Sequence, residues 1–144
     1  RWSQDIAESG YKYHMNNINA SIGLNNLQDI DFIINSHIKN RESYDNNINN
    51  PKITKMRKPL NSLSSSWIYS MLVDDREDFV NYMANHGIGC DRVHVRNDFY
   101  TVFGGIREEL NNLKIFDSQL VNIPVGWWLT SDNIEHIVKT INNY

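Results

Sequence analysis

Gly10-Tyr11-Lys12-Tyr13-His14-Met15-Asn16-Asn17-Ile18-Asn19-Ala20-Ser21-Ile22-Gly23-Leu24-Asn25-Asn26-Leu27 is the stretch around which the rest of the chain is read. Its first half reads as a turn: Gly10 can take the positive φ of a tight turn, and Asn16 or Asn17 can accept a backbone N–H as a helix cap. Its second half reads as a helix, with Ile18, Ile22, Leu24 and Leu27 forming a mostly apolar stripe. Small Ala20, Ser21 and Gly23 would let another backbone come close, so a helix crowded by a neighbour is expected.

Just ahead of the cap stand Tyr11, Lys12, Tyr13 and His14. Donors on aromatic supports thus collect at the positive end of a helix dipole, an arrangement that suits a phosphate. On the residues alone the alternative stays open: a solvated turn lysine beside a stacking histidine.

At 144 residues and 16.9 kDa the chain has the length of one domain with its own core. A net charge of −3 and a pI near 5.9 argue against a nucleic-acid surface, and the basic residues are scattered apart from Lys52 to Lys58. A single cysteine, Cys90, favours a reducing compartment, and no apolar run approaches membrane-spanning length. A soluble, cytoplasmic protein with no membrane partner is expected. The clusters Asn46-Asn47 and Asn49-Asn50 look more like compositional bias than a functional tract. The chain opens on Arg1 and not on methionine, so a missing upstream segment is expected.

Along the chain, residues 1–9 read as an irregular approach anchored by Trp2. A long or broken helical stretch is expected from Asn17 to about Ile48, bent at Gly23 or Asn25-Asn26, because Leu27, Ile30, Ile33, Ile34, Ile38 and Tyr44 recur at helical spacing. Asn49-Asn50-Pro51 ends it. Residues 52–65 form a polar, basic connector broken again at Pro59. Trp67 to Val73 reads as a buried strand. Asp74 or Asp75 caps a helix from about Arg76 to Asn85, which Gly87 ends as a left-handed cap. Ile88 to Val95 alternates enough for a strand, Leu113 to Leu120 for a short helix, and Val121 to Val125 for a strand at an edge or terminal position, closed by Pro124. Last comes a helix capped by Thr130 or Ser131, with Ile134, Ile137, Val138 and Ile141 on one face. The fold class is α+β: a long N-terminal helix, then a small, mostly antiparallel sheet covered on one face by helices.

The opening stretch resembles the Gly-Tyr-x-Tyr-x-Met-x-x-x-x-Ala-x-Ile-Gly-Leu-x-x-Leu signature of the DegT/DnrJ/StrS aminotransferases. The resemblance runs on through Trp67 to Val73, the Asp75-Arg76-x-x-Phe79 helix, Gly87-Ile88-Gly89 and the segment from Pro124 to Ile137, covering nearly all of the chain in order. It implies the C-terminal portion of a pyridoxal 5'-phosphate enzyme of fold type I. Residues 1–50 would follow the large domain as an inter-domain and dimer helix region, 51–65 would be a linker, and 66–144 the small domain. The activity implied is transfer of an amino group from an amino acid, glutamate by analogy, to a nucleotide-linked keto-sugar, by a homodimer.

In that family a Schiff-base lysine lies upstream, in the large domain, where it binds the cofactor aldehyde and shuttles protons. Lys12, Lys39, Lys52, Lys55, Lys58, Lys114 and Lys139 all stand in other contexts, so this segment has no catalytic residue of its own and is expected to be inactive alone. The first motif implies a cofactor-phosphate contact across the dimer by Lys12 and His14. Family members typically carry Asn and Arg there, so the match is partial: Lys12 keeps a cation, and His14 can donate when protonated or in the right tautomer.

His94, Arg96 and Asn97, at the end of the segment from Ile88, match positions that face the nucleotide-sugar, although the commoner family form is His-Tyr-x-Pro. Arg96 has the fork geometry to clamp a diphosphate; read without the resemblance, Arg96-Asn97-Asp98 is a turn with an internal ion pair. Trp127-Trp128 reads as interface aromatics, or as a stacking platform for a base or sugar. Cys90 reads as core, and His86 as a complement to a helix dipole. Asn19-Ala20-Ser21 fits a glycosylation sequon but falls in a helix. No metal spacing is present. The competing functional class is a noncatalytic, truncated binding or dimer-completing module derived from such an enzyme.

Overall fold

The computed structural model describes residues 4–144; Trp2, the expected anchor of the approach, lies outside them. The approach is held further along. Asp5 accepts hydrogen bonds from the Thr101 N–H (3.0 Å) and Oγ1 (2.7 Å), and the Ile6 carbonyl accepts from Val102 N–H (3.0 Å).

Helix α1 (Asn17–Asn26) is capped by Asn16, whose side chain accepts from the Asn19 N–H at 2.9 Å. A 3-10 turn over Leu27–Asp29 joins it to α2 (Ile30–Asn47), so the break falls just after Asn25-Asn26. The apolar stripe of α1 has no partner among the described residues: Ile18, Ile22, Leu24 and Leu27 are all exposed, and no residue of α1 is buried. The expected crowding is not met among the described residues, because the first buried residue is Tyr44 and the core is assembled from α2 onward.

Three antiparallel strands follow in the order β1 (Ile53–Lys55), β2 (Tyr69–Val73), β3 (Leu120–Ile123). Strand side chains alternate between faces, and the register puts Ile53 opposite Val73, Met71 opposite Val121 and Tyr69 opposite Ile123. That face packs with Tyr44 and Ile48 of α2, Phe79 and Met83 of α3 (Arg76–Asn85), and Ile134, Ile137 and Ile141 of α5 (Ser131–Asn142) in one core. Such burial is the main favourable term in folding. Lys55 lies on the same face, and its ammonium donates to the Asp45 (2.7 Å) and Ile48 (3.0 Å) carbonyls at the end of α2, where a cation complements the helix dipole. The remaining helix, α4 (Asn111–Gln119), leads directly into β3.

Three sequence expectations are corrected. Ile88 to Val95 forms no strand; its one ladder contact is the isolated bridge Asp91 to Asn122, and the Val93 N–H is taken by the Asn122 side chain at 2.8 Å instead of a strand backbone. Trp67 precedes β2 and is 58 % exposed, because left-handed Ser66 (φ 50°) turns the chain just before the strand begins at Tyr69. The stretch expected as a connector also contains β1, a short strand disguised by its polar Thr54 and Lys55. Gly87 is left-handed (φ 76°) as expected: its N–H bonds the Ala84 carbonyl and the Ile88 N–H bonds Met83, closing α3 with two capping bonds.

Candidate cofactor and sugar site

Lys12 and His14 are exposed in the irregular segment ahead of α1, with exposed Tyr11 and Tyr13 stacked on each other at 5.8 Å and 18°. The first turn of α1 carries no acidic residue, and Asn16 takes up only the Asn19 N–H, so the amides of Asn17 and Ile18 have no partner among the described residues. Donors, a cation and a helix N-terminus with no competing carboxylate fit the anionic end of a cofactor. They do not fit its aldehyde, which needs a lysine held in place.

The lysines have other work. Lys52 donates to the Tyr144 carbonyl (2.8 Å) and lies 4.7 Å over that ring, Lys55 caps α2, and Lys114 faces Glu108 at 3.4 Å. Lys39 and Lys139 are exposed on α2 and α5, and Lys58 is exposed in the connector.

The second candidate group is a cleft of about 630 Å³ lined by His94, Arg96, Asn97, Asp98, Phe103 and Arg107 among others. His94, Arg96 and Asn97 are therefore brought together. The Arg96 fork, however, is occupied: Nε and Nη2 each donate to Asp98 at 2.6 Å, and Nη2 also reaches the Arg107 carbonyl at 3.1 Å. The Arg96 hydrogen bonds first, then the Arg107 N–H at 2.9 Å, hold the Asp98 carboxyl well below the usual carboxylate range. The sequence alternative of a turn with an internal ion pair thus describes Arg96. Trp67 meets the His94 ring edge-on at 5.8 Å and 68°, a partner the sequence reading missed by placing Trp67 in the buried strand. The anchor of residues 4–6 on Thr101 and Val102 ties the backbone leading to Lys12 to this cleft's rim. Nothing in the sequence marks that contact across ninety-odd residues.

Trp127 and Trp128 are 48 % and 62 % exposed, meeting Phe32 at 6.3 Å and His37 at 6.4 Å respectively. Their turn is tied to α2 by Tyr44, whose hydroxyl donates to the Pro124 carbonyl at 2.8 Å, and by Asn40, which donates to the Val125 and Gly126 carbonyls. A Cβ at Gly126 would meet the outer edge of the folded-back Trp128 ring, which is exposed and would have to swing away. Beside it runs a groove of about 510 Å³ between α2 and α5. Cys90 packs against the core, and burial, with Asp91 adding to it, pushes its thiol up to about 11. His86 donates through Nδ1 to the Tyr82 carbonyl at 2.8 Å, in the last turn of α3, as its place before Gly87 suggests. Among the described residues no helix is long and apolar enough to cross a membrane, and no group of His, Cys, Asp or Glu is placed to hold a metal.

The model of the DegT/DnrJ/EryC1/StrS aminotransferase family matches residues 1–142, and the chain belongs to that family. It is similar to the sugar aminotransferase CalS13 from Micromonospora echinospora (33 % identity, TM-score 0.84, 96 % of this chain and 38 % of that one). It is similar too to AtS13 from Actinomadura melliaura (35 % identity, TM-score 0.82, 99 % of this chain and 39 % of that one). A protein of Methanocaldococcus jannaschii, itself uncharacterized, is 22 % identical over 97 % of this chain and 39 % of its own length. The chain therefore spans about two fifths of the length of these relatives.

Proposed function

We propose that this chain supplies the C-terminal part of a pyridoxal 5'-phosphate-dependent sugar aminotransferase. The complete enzyme would work as a cytoplasmic homodimer, moving an amino group from glutamate to a nucleotide-linked keto-sugar. The observation that carries the reading is the match to CalS13 at 33 % identity and a TM-score of 0.84 over 96 % of this chain. In the division proposed, the segment through α1 reaches the large domain and the dimer partner, while α2, β1 and residues 66–144, which share one core and one sheet, belong to the small domain.

Lys12 and His14 would hold the cofactor phosphate of the neighbouring subunit, with the α1 amides behind them. Bound there, the cofactor supplies the electron sink for amino transfer; its lysine anchor belongs to the large domain. His94, Arg96 and Asn97 would form the substrate wall. With two of its nitrogens spent on Asp98, Arg96 acts there as a fixed donor edge toward sugar hydroxyls, and the Trp67 and His94 rings offer an apolar face beside it.

The test is a graft in which this chain replaces the matching 38 % of CalS13. The graft should bind the cofactor and aminate nucleotide-linked keto-sugars with glutamate, whereas the 144-residue chain alone should do neither. A graft that binds cofactor yet accepts no keto-sugar would refute the substrate assignment. Cofactor-dependent turnover by the chain alone would refute the division of labour.

A further inference from the structure

The polar cleft beside the start of β2 has no role in the account so far. It is lined by Arg41, Arg57 and Lys58, by Ser62, Ser64 and Ser66, and by neighbours that include Asp45 and Tyr69, and encloses about 180 Å³. At about 30 Å³ per water molecule in the liquid, that is room for a phosphate or pyrophosphate.

Its charge is unbalanced. Three cations face one carboxylate, Asp45, and that carboxylate is already shared between Arg41 Nη2 at 3.1 Å and the Tyr69 hydroxyl, which donates at 2.9 Å. Arg57 and Lys58 are exposed and make no hydrogen bond or ion pair among the described residues. Of the serines, Ser62 spends its hydroxyl proton on the Pro59 carbonyl (2.8 Å) and Ser66 on the Ser64 carbonyl (3.4 Å), while Ser64 Oγ accepts from the Ser66 N–H (3.1 Å), which leaves its own hydroxyl proton to donate. Asn61 and Ser66 both hold left-handed backbone (φ 60° and 50°) that non-glycine residues avoid, so the loop is bent into this shape at a cost in local conformational energy.

The cleft adjoins the candidate sugar site through a single residue. Ser66 and Ile68 line it, and Trp67 between them leans on His94 of the other cleft. A sugar nucleotide carries a diphosphate between its two halves, and Arg96, the guanidinium the sequence offered for that group, is neutralised by Asp98 at 2.6 Å. We propose that the cleft of Arg41, Arg57, Lys58 and the Ser62–Ser66 loop is a pyrophosphate-binding site that holds the diphosphate of the substrate. The assignment of the substrate rests on the proposed function; the anion site does not.

The probe is inorganic pyrophosphate titrated into the full 144-residue chain by calorimetry, with no cofactor present. Binding should be measurable and weaken with added salt, because the cations are exposed. Combining Arg57→Ala with Lys58→Ala, both away from the core, should reduce the affinity by about tenfold or more. Arg96→Ala, and the pair Lys12→Ala with His14→Ala, should leave it within about twofold. UDP should displace pyrophosphate and pyridoxal 5'-phosphate should not, which separates a substrate diphosphate from a cofactor phosphate. The site is overturned if pyrophosphate does not bind, if the Arg57/Lys58 variant binds it unchanged, or if Arg96→Ala abolishes binding. Displacement by pyridoxal 5'-phosphate alone would overturn the substrate assignment. Since neither cofactor nor large domain enters this titration, its failure is distinguishable from failure of the CalS13 graft.

Discussion

Asp98 turns a short run of sequence into fixed geometry. Its two oxygens take the Arg96 fork at 2.6 Å each and one also accepts the Arg107 N–H, so a single carboxylate fastens the proposed substrate wall to the loop after Phe103. Its folded-state pKa is depressed, and Asp5, bonded first through the Thr101 N–H, is shifted in the same direction. A depressed carboxylate contributes stability above the unfolded value of about 3.9 and loses it as pH falls from there through the folded value. The unfolding midpoint of the chain should therefore drop as pH is lowered below about 4, and less steeply in Asp98→Asn, as read by circular dichroism. Equal slopes in the two proteins would mean that Asp98 is not coupled to folding. At this scale the sequence is ambiguous, because an arginine two residues before an aspartate can face a ligand or its neighbour. The backbone around Asn97–Phe99, a 3-10 turn, decides for the neighbour.

Among the elements, α5 is the most fully specified. Thr130 and Asn133 exchange reciprocal bonds, Thr130 N–H to Asn133 Oδ1 at 3.0 Å and Asn133 N–H to Thr130 Oγ1 at 3.2 Å, and Asp132 sits in the first turn. Ile134, Ile137 and Ile141 are buried from the same face. Thr130→Ala should cost about 1 kcal/mol, measurable as a lowered urea midpoint with an unchanged slope; no change would show that packing alone fixes the helix start. Elements whose ends and faces are written locally were legible: α3 from Asp75 to Gly87, and α5. Elements whose meaning depends on a distant partner were not. β1 hides Lys55 as a cap for α2, and 88–95, alternating like a strand, spends its hydrogen bonds on Asn122. On α1 the apolar spacing says that a partner is needed and says nothing of which chain supplies it.

Over the whole molecule, a core closed by α2, α3, α5 and the sheet coexists with a helix, α1, whose apolar residues stay mostly exposed among the described residues. Exposed apolar patches of this kind mark surfaces that another body covers, and relatives of which this chain spans about two fifths have such a body to offer. The family and fold were legible because one long motif and its successors lie in order along the chain. The placement of the small anion cleft was not, since Arg41 and Lys58 come from separate elements. The central claim is that Lys12 and His14 complete a cofactor site made with the remainder of the enzyme, and it is met most directly by the cofactor affinity of the CalS13 graft with and without those side chains. Lys12→Ala combined with His14→Ala should weaken pyridoxal 5'-phosphate binding by about tenfold or more, the loss of charge-assisted phosphate bonds; an unchanged affinity would contradict the account.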